Sequence, residues 1–437
     1  MARPAALAVP TRISPTRISL ARLNHILIPA TKEGRDEARQ RPVVRIILPV
    51  VARLLVFSEE GRFLLLAALI VGAMGLEVQA TQLYLLWCVL AGLLAGSLLV
   101  RRWFALGKAR IEVSVPRRVT VGEELRFDLL VVSEGTRGFD AVRVRGPMLP
   151  WDGRYTLPPP PDLPLAPGGR VEQRMAARFS ERGEHHLEPF HVSALVPLGL
   201  VLGRPMESVS CKVVVVPRVA VVQRLTTPRA ERHQPGGVAL ASKTGESMEL
   251  LGLRPYRPGD PVRDLHARAS ARLGAPHVRE YQQEYFSRFG VILDTDLGGR
   301  DPAQFEAAIS LAAGVVAHLS RGEALVDLLV VGDETHALTL GRSLGRLEQA
   351  LDLLACAVPR PLDPARLQER LRPFLDRLSC VVVIWLSFDG PRAAVTRHLG
   401  QRSACRTLVV SDEAAAGGPM VTTLQPAAIR RGEALVL

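Results

Sequence analysis

The sequence predicts a membrane-anchored multidomain chain: a transmembrane helical hairpin, then a small antiparallel β-sandwich, then an α/β domain with a mainly parallel sheet. Three observations lead there. Residues 63–100 hold two apolar stretches with arginines outside them and no basic residue between them. Residues 110–218 carry short runs of alternating polarity separated by Pro- and Gly-containing breaks. Residues 286–437 alternate continuous apolar runs with segments of helical period.

The 437 residues, 48% of them hydrophobic, suffice for two or three domains with real cores. The formal net charge is +12, and its placement decides what it implies. Residues 1–62 hold 11 Lys or Arg against 5 Asp or Glu, half of the excess, directly before the apolar stretches. That location favours orienting a membrane protein over binding nucleic acid. The five cysteines, Cys88, Cys211, Cys356, Cys380 and Cys405, form no CxxC pair and lie in or beside apolar stretches. They read as buried free thiols in a reducing compartment.

Residues 1–40 mix Pro, Arg, Thr and Ala without a sustained period and read as a disordered basic tail. Residues 41–104 form the membrane-associated region. Its first run, 41–57, is apolar but interrupted by Arg45, Pro49 and Arg53. Two readings stay open for it: a helix along the membrane surface with arginines at the headgroups, or a loosely ordered approach to the first span. Two transmembrane helices are expected, at about 62–80 and 83–101. Arg53 and Arg62 before them, and Arg101, Arg102, Lys108 and Arg110 after them, place both termini in the cytoplasm of a two-pass inner-membrane protein. Gly92 and Gly96 have the GxxxG spacing that permits close helix contact.

The sandwich, 110–218, shows no cluster of His, Cys or paired acids, so a spacer or interaction module is expected. His185 and His186 are adjacent, and neighbours on a strand point to opposite faces, which argues against a shared metal. Residues 219–248 read as a connector. Its Ser242-Lys243-Thr244-Gly245 run lacks the preceding glycine-rich stretch of a phosphate-binding loop.

Residues 249–285 pack six arginines and two histidines between turn signals at Pro255 and Pro258-Gly259-Asp260. Long connections of this kind are uncommon unless they carry function. The positions Gly252-Leu253-Arg254, Tyr256, Gly259-Asp260, Arg263, His266, Ser270-Ala271-Arg272 and Arg279-Glu280 resemble the signature of the bacterial domain-of-unknown-function family fifty-eight (DUF58). One departure is Ala267, where the family usually has a tryptophan after the histidine. The resemblance implies an associate of AAA+ ATPases of the chaperone type, in systems that assemble other complexes. The charges also have an internal use: Asp260, Asp264 and Glu280 can pair with Arg254, Arg263, Arg272 or Arg279.

In the last domain, 286–437, strand-like runs at 289–293, 324–331, 380–386 and 407–410 alternate with helical segments. Asp301-Pro302-Ala303-Gln304 reads as a capping box opening the first helix. Sites in such sheets form at the carboxyl ends of strands. There the sequence places Asp294-Thr295-Asp296 and Asp389, and a hydroxyl such as Thr295 or Thr339 would complete an oxygen set for Mg2+ or Ca2+. The arrangement resembles the von Willebrand factor type A fold, whose metal site begins Asp-x-Ser-x-Ser. Asp296 and Gly298 stand at the two serine positions, and glycine offers no side-chain ligand, so a second reading stays open: the fold retained without a metal, Asp389 capping the helix that starts near Pro391 and Asp294 bonding loop amides.

The functional expectation is a non-enzymatic, membrane-anchored interaction or scaffold protein with a cytoplasmic protein partner. Two alternatives remain: a divalent-metal-dependent hydrolase, and a polyanion-binding module using the 254–279 arginines. No nucleophile and base stand at a persuasive spacing, and the basic run has few aromatic residues for stacking bases.

Overall fold

The computed structural model describes residues 28–74, 81–107, 109–158, 162–227, 249–260, 262–282, 288–321, 325–331, 335–340, 344–361, 364–375, 378–413 and 420–437. The chain divides into two compact units, Met1–Pro217 and Arg218–Leu437. Most of the expected basic tail, 1–27, and most of the connector, 228–248, lie outside the described residues.

The first unit begins with helices, the earliest falling where the sequence reading placed a disordered tail. Helix α1 (Lys32–Gln40) is capped by Thr31, whose hydroxyl accepts from the Gly34 amide. Arg35, buried, donates to the Pro29 carbonyl and pairs with Glu188 at 3.3 Å. A charged helix thus finds a fixed seat that its hydropathy does not announce. Helix α2 (Pro42–Leu54) has proline at its first position and a second, Pro49, inside. Helix α3 (Glu59–Met74) and helix α4 (Thr81–Val100) follow and pack against each other.

The expected two-pass hairpin is not what the structure contains. Among the described residues one helix, Gln82–Trp103, is long and apolar enough to cross a membrane, and it matches the second expected span. The first expected span, 62–80, is replaced by α3, whose 16 residues rise about 24 Å against a hydrocarbon core of roughly 30 Å. Its first turn carries Glu59, Glu60 and Arg62, and that turn is held by polar backbone: the Ser58 amide donates to the Leu200 carbonyl. Residues 75–80 lie outside the described residues. The two-pass topology falls with this finding, and so does the placement of both termini in the cytoplasm.

The sandwich follows: β1 (Ala109–Ser114), β2 (Arg118–Thr120), β3 (Glu124–Ser133), β4 (Phe139–Arg145), β5 (Gly153–Leu157), β6 (Leu163–Leu165), β7 (Arg170–Phe179), β8 (Gly183–Leu187), β9 (His191–Ala194), β10 (Met206–Glu207) and β11 (Cys211–Val216). They form sheets ordered β1-β3-β7-β5, β10-β9-β4-β6 and β2-β11-β8, antiparallel except for β2 with β11. Period-two patterning builds the core: Leu125, Phe127, Leu129 and Val131 of β3 are buried, while Arg126 and Asp128 between them are exposed. His185 faces the same interior and lies 2.8 Å from Asp152, both side chains 2% exposed. His186 is half-buried, so the two histidines share no ligand position.

The second unit is a three-layer α/β domain preceded by a hairpin. Its elements are β12 (Val222–Arg224), β13 (Glu249–Pro255), α5 (Ala267–Leu273), β14 (His277–Gln282), β15 (Arg288–Asp294), α6 (Pro302–Leu319), β16 (Leu325–Val331), β17 (Thr335–Leu340), α7 (Leu344–Ala355), α8 (Pro364–Leu375), β18 (Cys380–Trp385), α9 (Gly390–Arg402), β19 (Ala404–Val410), β20 (Val421–Leu424), α10 (Pro426–Arg431) and β21 (Leu435–Val436). The sheet runs β17-β16-β15-β18-β19-β20, with every neighbour parallel except the antiparallel edge pair β16 and β17. Both faces are covered, and alternation along each strand assigns the residues. Val291, Leu293, Val382 and Ile384 join α6, α7 and α10 in one core, whereas Ile292, Val381, Val383 and Trp385 join α8 and α9 in the other. At Gly314 of α6 a side chain would sit 2.4 Å from the Ala220 carbonyl, so glycine lets the segment leading into β12 lie against the helix.

The cysteines divide by location. Cys380 is buried in β18, but Cys88 and Cys356 are exposed, correcting the expectation that all five are buried. A cysteine beside an apolar run still stays uncovered by the protein when it falls on the open side of a helix or just past its end.

Candidate functional site

Strands β15 and β18 are parallel neighbours, and their carboxyl ends bring Asp294, Asp296 and Asp389 together. What they gather around is a side chain. Arg392, in the first turn of α9, donates from Nε to Asp294 Oδ2 at 2.9 Å, from Nη1 to Asp389 Oδ2 at 2.7 Å, and from Nη2 to Asp296 Oδ2 at 2.9 Å. The local sequence explains the placement: Asp389 caps α9 by accepting from the Arg392 amide at 3.0 Å, which fixes Arg392 one turn into the helix and over the strand ends. The guanidinium lies 5.9 Å from the centre of the Trp385 ring.

The remaining oxygens are also taken. Asp294 Oδ1 accepts from the Asp296 amide at 2.9 Å and Oδ2 from the Leu386 amide at 3.4 Å, while Asp296 Oδ1 accepts from the Gly298 amide at 3.1 Å. Burial pushes the Asp294 carboxyl above its ordinary range, against the pull of Arg392 and the two amides. Burial also opposes the charge on Arg392, but Asp294, Asp389 and Asp296 outweigh it and hold the guanidinium above its ordinary value. The Asp294 oxygens meet only donors.

The cluster does not fit a divalent cation. Each carboxylate points an oxygen at the guanidinium, in the space a metal would need, and no group of three or more His, Cys, Asp or Glu able to hold a metal occurs among the described residues. Thr295 and Thr339, the expected hydroxyls, are elsewhere. Thr295 Oγ1 donates to the Val331 carbonyl at 2.7 Å. Thr339 pairs in register with Asp327 toward the amino end of β15 and accepts from Arg288 at 3.4 Å. The three carboxylates of the candidate Mg2+ or Ca2+ set therefore hold an internal cation, and Asp389 and Asp294 make the helix cap and loop-amide bonds of the metal-free reading. The expected capping box is half made: Asp301 accepts from the Ala303 amide, but Gln304 turns its amide nitrogen to the Leu386 and Val410 carbonyls, at the carboxyl ends of two strands.

The signature segment builds a self-contained hairpin. β13 and β14 pair antiparallel, with Leu253 opposite Arg279 and Gly252 opposite Glu280. Between them Arg254 grips Asp260 bidentately at 2.7 and 2.8 Å, and Asp260 also accepts from the Arg257 amide at 2.8 Å. The Arg254 guanidinium and the Arg257 amide hold the Asp260 carboxyl down at about 2. Gly259 supplies the turn with φ 105°. His266 Nδ1 caps α5 by accepting from the Ala269 amide at 3.0 Å, Ser270 Oγ bridges the His266 carbonyl and the His277 amide, and the half-buried Tyr256 ties its own amide to the Pro276 carbonyl.

Of the expected pairs, Arg254 with Asp260 is formed. Arg263 reaches Asp264 only at 3.9 Å and is 84% exposed. Arg272 and Arg279 stand exposed, as do Arg257 and Arg268. The Glu280 side chain lies outside the described residues. Among the described residues, none of the hairpin side chains enters either core of the α/β sheet.

The sequence model of the family described as "Protein of unknown function DUF58" matches residues 252–429, from the hairpin's first strand into α10. This region belongs to the DUF58 family. The DUF58 region thus unites hairpin and mixed sheet in one family unit. Similar solved structures are remote. Manganese-loaded TRAP protein of Plasmodium vivax is 10% identical over 34% of this chain and 71% of its own, with a TM-score of 0.24. The SpRpn10 VWA domain is 12% identical over 32% of this chain and 89% of its own, at 0.23. A FixG-related protein from Vibrio parahaemolyticus is 13% identical over 24% of this chain and 95% of its own, at 0.18. No curated protein matches the chain. Scores this low carry no argument about what the DUF58 region binds.

Proposed function

We propose that the protein is a membrane-associated, non-enzymatic interaction protein whose contact surface is the DUF58 hairpin. The observation that carries this reading is the division of labour among the hairpin's arginines. Arg254 is consumed in holding the loop, whereas Arg257, Arg263, Arg268, Arg272 and Arg279 are displayed on the frame it holds. A rigid frame carrying exposed guanidinium groups suits an acidic protein surface, because the ordering cost is met before binding. The family resemblance points to an AAA+ ATPase of the chaperone type as the partner class. A hydrolase reading gains nothing from the strand ends, where the three carboxylates are committed to Arg392 and backbone amides.

The test is capture of the full chain and of an R263A/R272A/R279A variant from native membranes. We expect an AAA+ ATPase with the parent chain and at least a tenfold loss with the variant, about 1.4 kcal/mol or more. Equal recovery of the ATPase with both would overturn the surface assignment. Loss of only salt-sensitive binding to a polyanion would favour the polyanion reading instead.

A further inference from the structure

Helix α2 carries two apolar faces, and the fold uses one. At 100° per residue, Val44 and Val51 fall on the side turned inward, where Val44 is buried and Val51 half-buried. Val43, Ile46, Ile47, Val50 and Leu54, at the spacing i, i+3, i+4, i+7 and i+11, make a second stripe that is 40 to 70% exposed. Arg53, exposed, borders this stripe, while Arg41 and Arg45, also exposed, lie on the polar side of the helix away from it.

The position of α2 says what covers the stripe. Loop 195–203 of the sandwich grips the chain at two places through one residue. The Leu202 amide donates to the Val56 carbonyl, just beyond the end of α2, and the Leu202 carbonyl accepts from Arg101 Nε at 2.9 Å. Arg101 belongs to the basic end of the helix that is long and apolar enough to cross a membrane. Beside it Trp103 is 59% exposed, an aromatic residue at the level where such helices meet headgroups. The end of α2 and the polar end of that helix are therefore held at the same level. The same loop displays Leu198, 70% exposed at φ 74°, a left-handed conformation that costs a leucine energy and is kept for an apolar side chain in the open.

We propose that α2 lies in the membrane interface, with its second apolar stripe and Leu198 immersed at the headgroup boundary and Arg41, Arg45 and Arg53 on anionic lipid phosphates. The occupant is a lipid surface because the stripe ends level with the basic end of the apolar helix, through Leu202, and the charged residues of α2 and its cap are uniformly basic. This inference rests on the membrane reading of Gln82–Trp103 and adds a second, in-plane contact to it.

The test uses the full chain in vesicles of phosphatidylcholine and phosphatidylglycerol, with Cys88, Cys211 and Cys356 replaced by serine. A bimane label is placed in turn on V50C, A52C and L93C. Lipids brominated near the glycerol end of the chain are expected to quench V50C by about half, as a shallow apolar site requires, and to leave A52C, off the stripe, bright. L93C, in the apolar helix, is quenched by bromine deeper in the chain. V50C in the parent is expected to lose most of its quenching when phosphatidylglycerol is omitted, and an R45Q/R53Q variant to show the reduced quenching with or without that lipid. If L93C is quenched while V50C stays open to aqueous iodide, the interfacial helix is refuted and the membrane reading stands. If L93C is not quenched, both fall. Shielding of V50C from iodide and bromine alike would mean that protein covers the stripe, which also overturns the proposal.

Discussion

The Nε of Arg392 donates to Oδ2 of Asp294 across 2.9 Å, with the two side chains 5% and 0% exposed. Such a pair gives up its hydration on both sides, so its geometry must be complete to be neutral or favourable. Here three carboxylates share one guanidinium, and breaking the arrangement from the cationic side leaves the buried Asp294 with amide donors but no cation.

Replacing Arg392 by alanine is therefore expected to destabilise the second unit by about 3–5 kcal/mol. The variant also frees three carboxylates, so millimolar Mg2+ is expected to raise its thermal midpoint while leaving the parent's unchanged. An R392A/D294N variant is expected to recover part of the loss and the metal response to fade. A magnesium shift in the parent chain would contradict the internal-cation account.

The hairpin predicts a local acid transition. Asp260 is held at about 2, below the ordinary carboxylate value, by Arg254 and the Arg257 amide. A depressed folded value means the pairing contributes fully above the unfolded pKa, roughly 3.9, and is lost as pH falls toward 2. Exchange of the Arg257 amide hydrogen, followed from pH 4.5 to pH 2, is expected to lose protection in that window, and D260N is expected to show the low-pH behaviour throughout. Full protection of the Arg257 amide in D260N would refute the assignment.

Thiol chemistry separates the cysteines. Burial pushes Cys380 up to about 12, with Cys405 nearby adding to it, and burial pushes Cys405 up to about 11. Iodoacetamide at pH 8 is expected to label the exposed Cys356 first and to reach Cys380 and Cys405 only after unfolding. Mass spectrometry of timed digests measures the order.

Gly61 is expected to tolerate no side chain. A Cβ there would stand 1.9 Å from the Leu200 carbonyl, where the first turn of α3 meets the loop of the sandwich. Gly61→Ala is expected to cost about 2 kcal/mol and lower the thermal midpoint of the first unit by roughly 5 °C, measured in detergent.

The α/β layers were legible because buried parallel strands such as 380–385 read as unbroken apolar runs and α6 keeps a helical period. The carboxylates of the cluster were legible as strand-end aspartates. Arg392 was not, since an arginine in a polar helix resembles a solvated one until the strand order sets it over Asp294. Thr339 was misplaced because β17 runs antiparallel to its neighbour, which carries the residue toward the opposite end of the sheet, and one strand's direction is invisible in its own residues. For α3, composition suggested a span, but the charged first turn and its bond to Leu200 are what shorten it. The hairpin's partnering of Arg254 with Asp260 was one of several pairings the sequence allowed, and only the turn at Gly259 selects it.

Strand β12 opens the second unit and β21 lies parallel beside it, joined through the Leu435 amide to the Val221 carbonyl and the Leu437 amide to the Arg224 carbonyl. In mechanical terms this is a shear clamp. Tension entering before Val222 and leaving after Val436 pulls the two strands along their length in opposite directions, loading these bonds together rather than peeling them one by one. Under that direction of load the unit yields late, and its sheet feels the force only after the clamp has slipped.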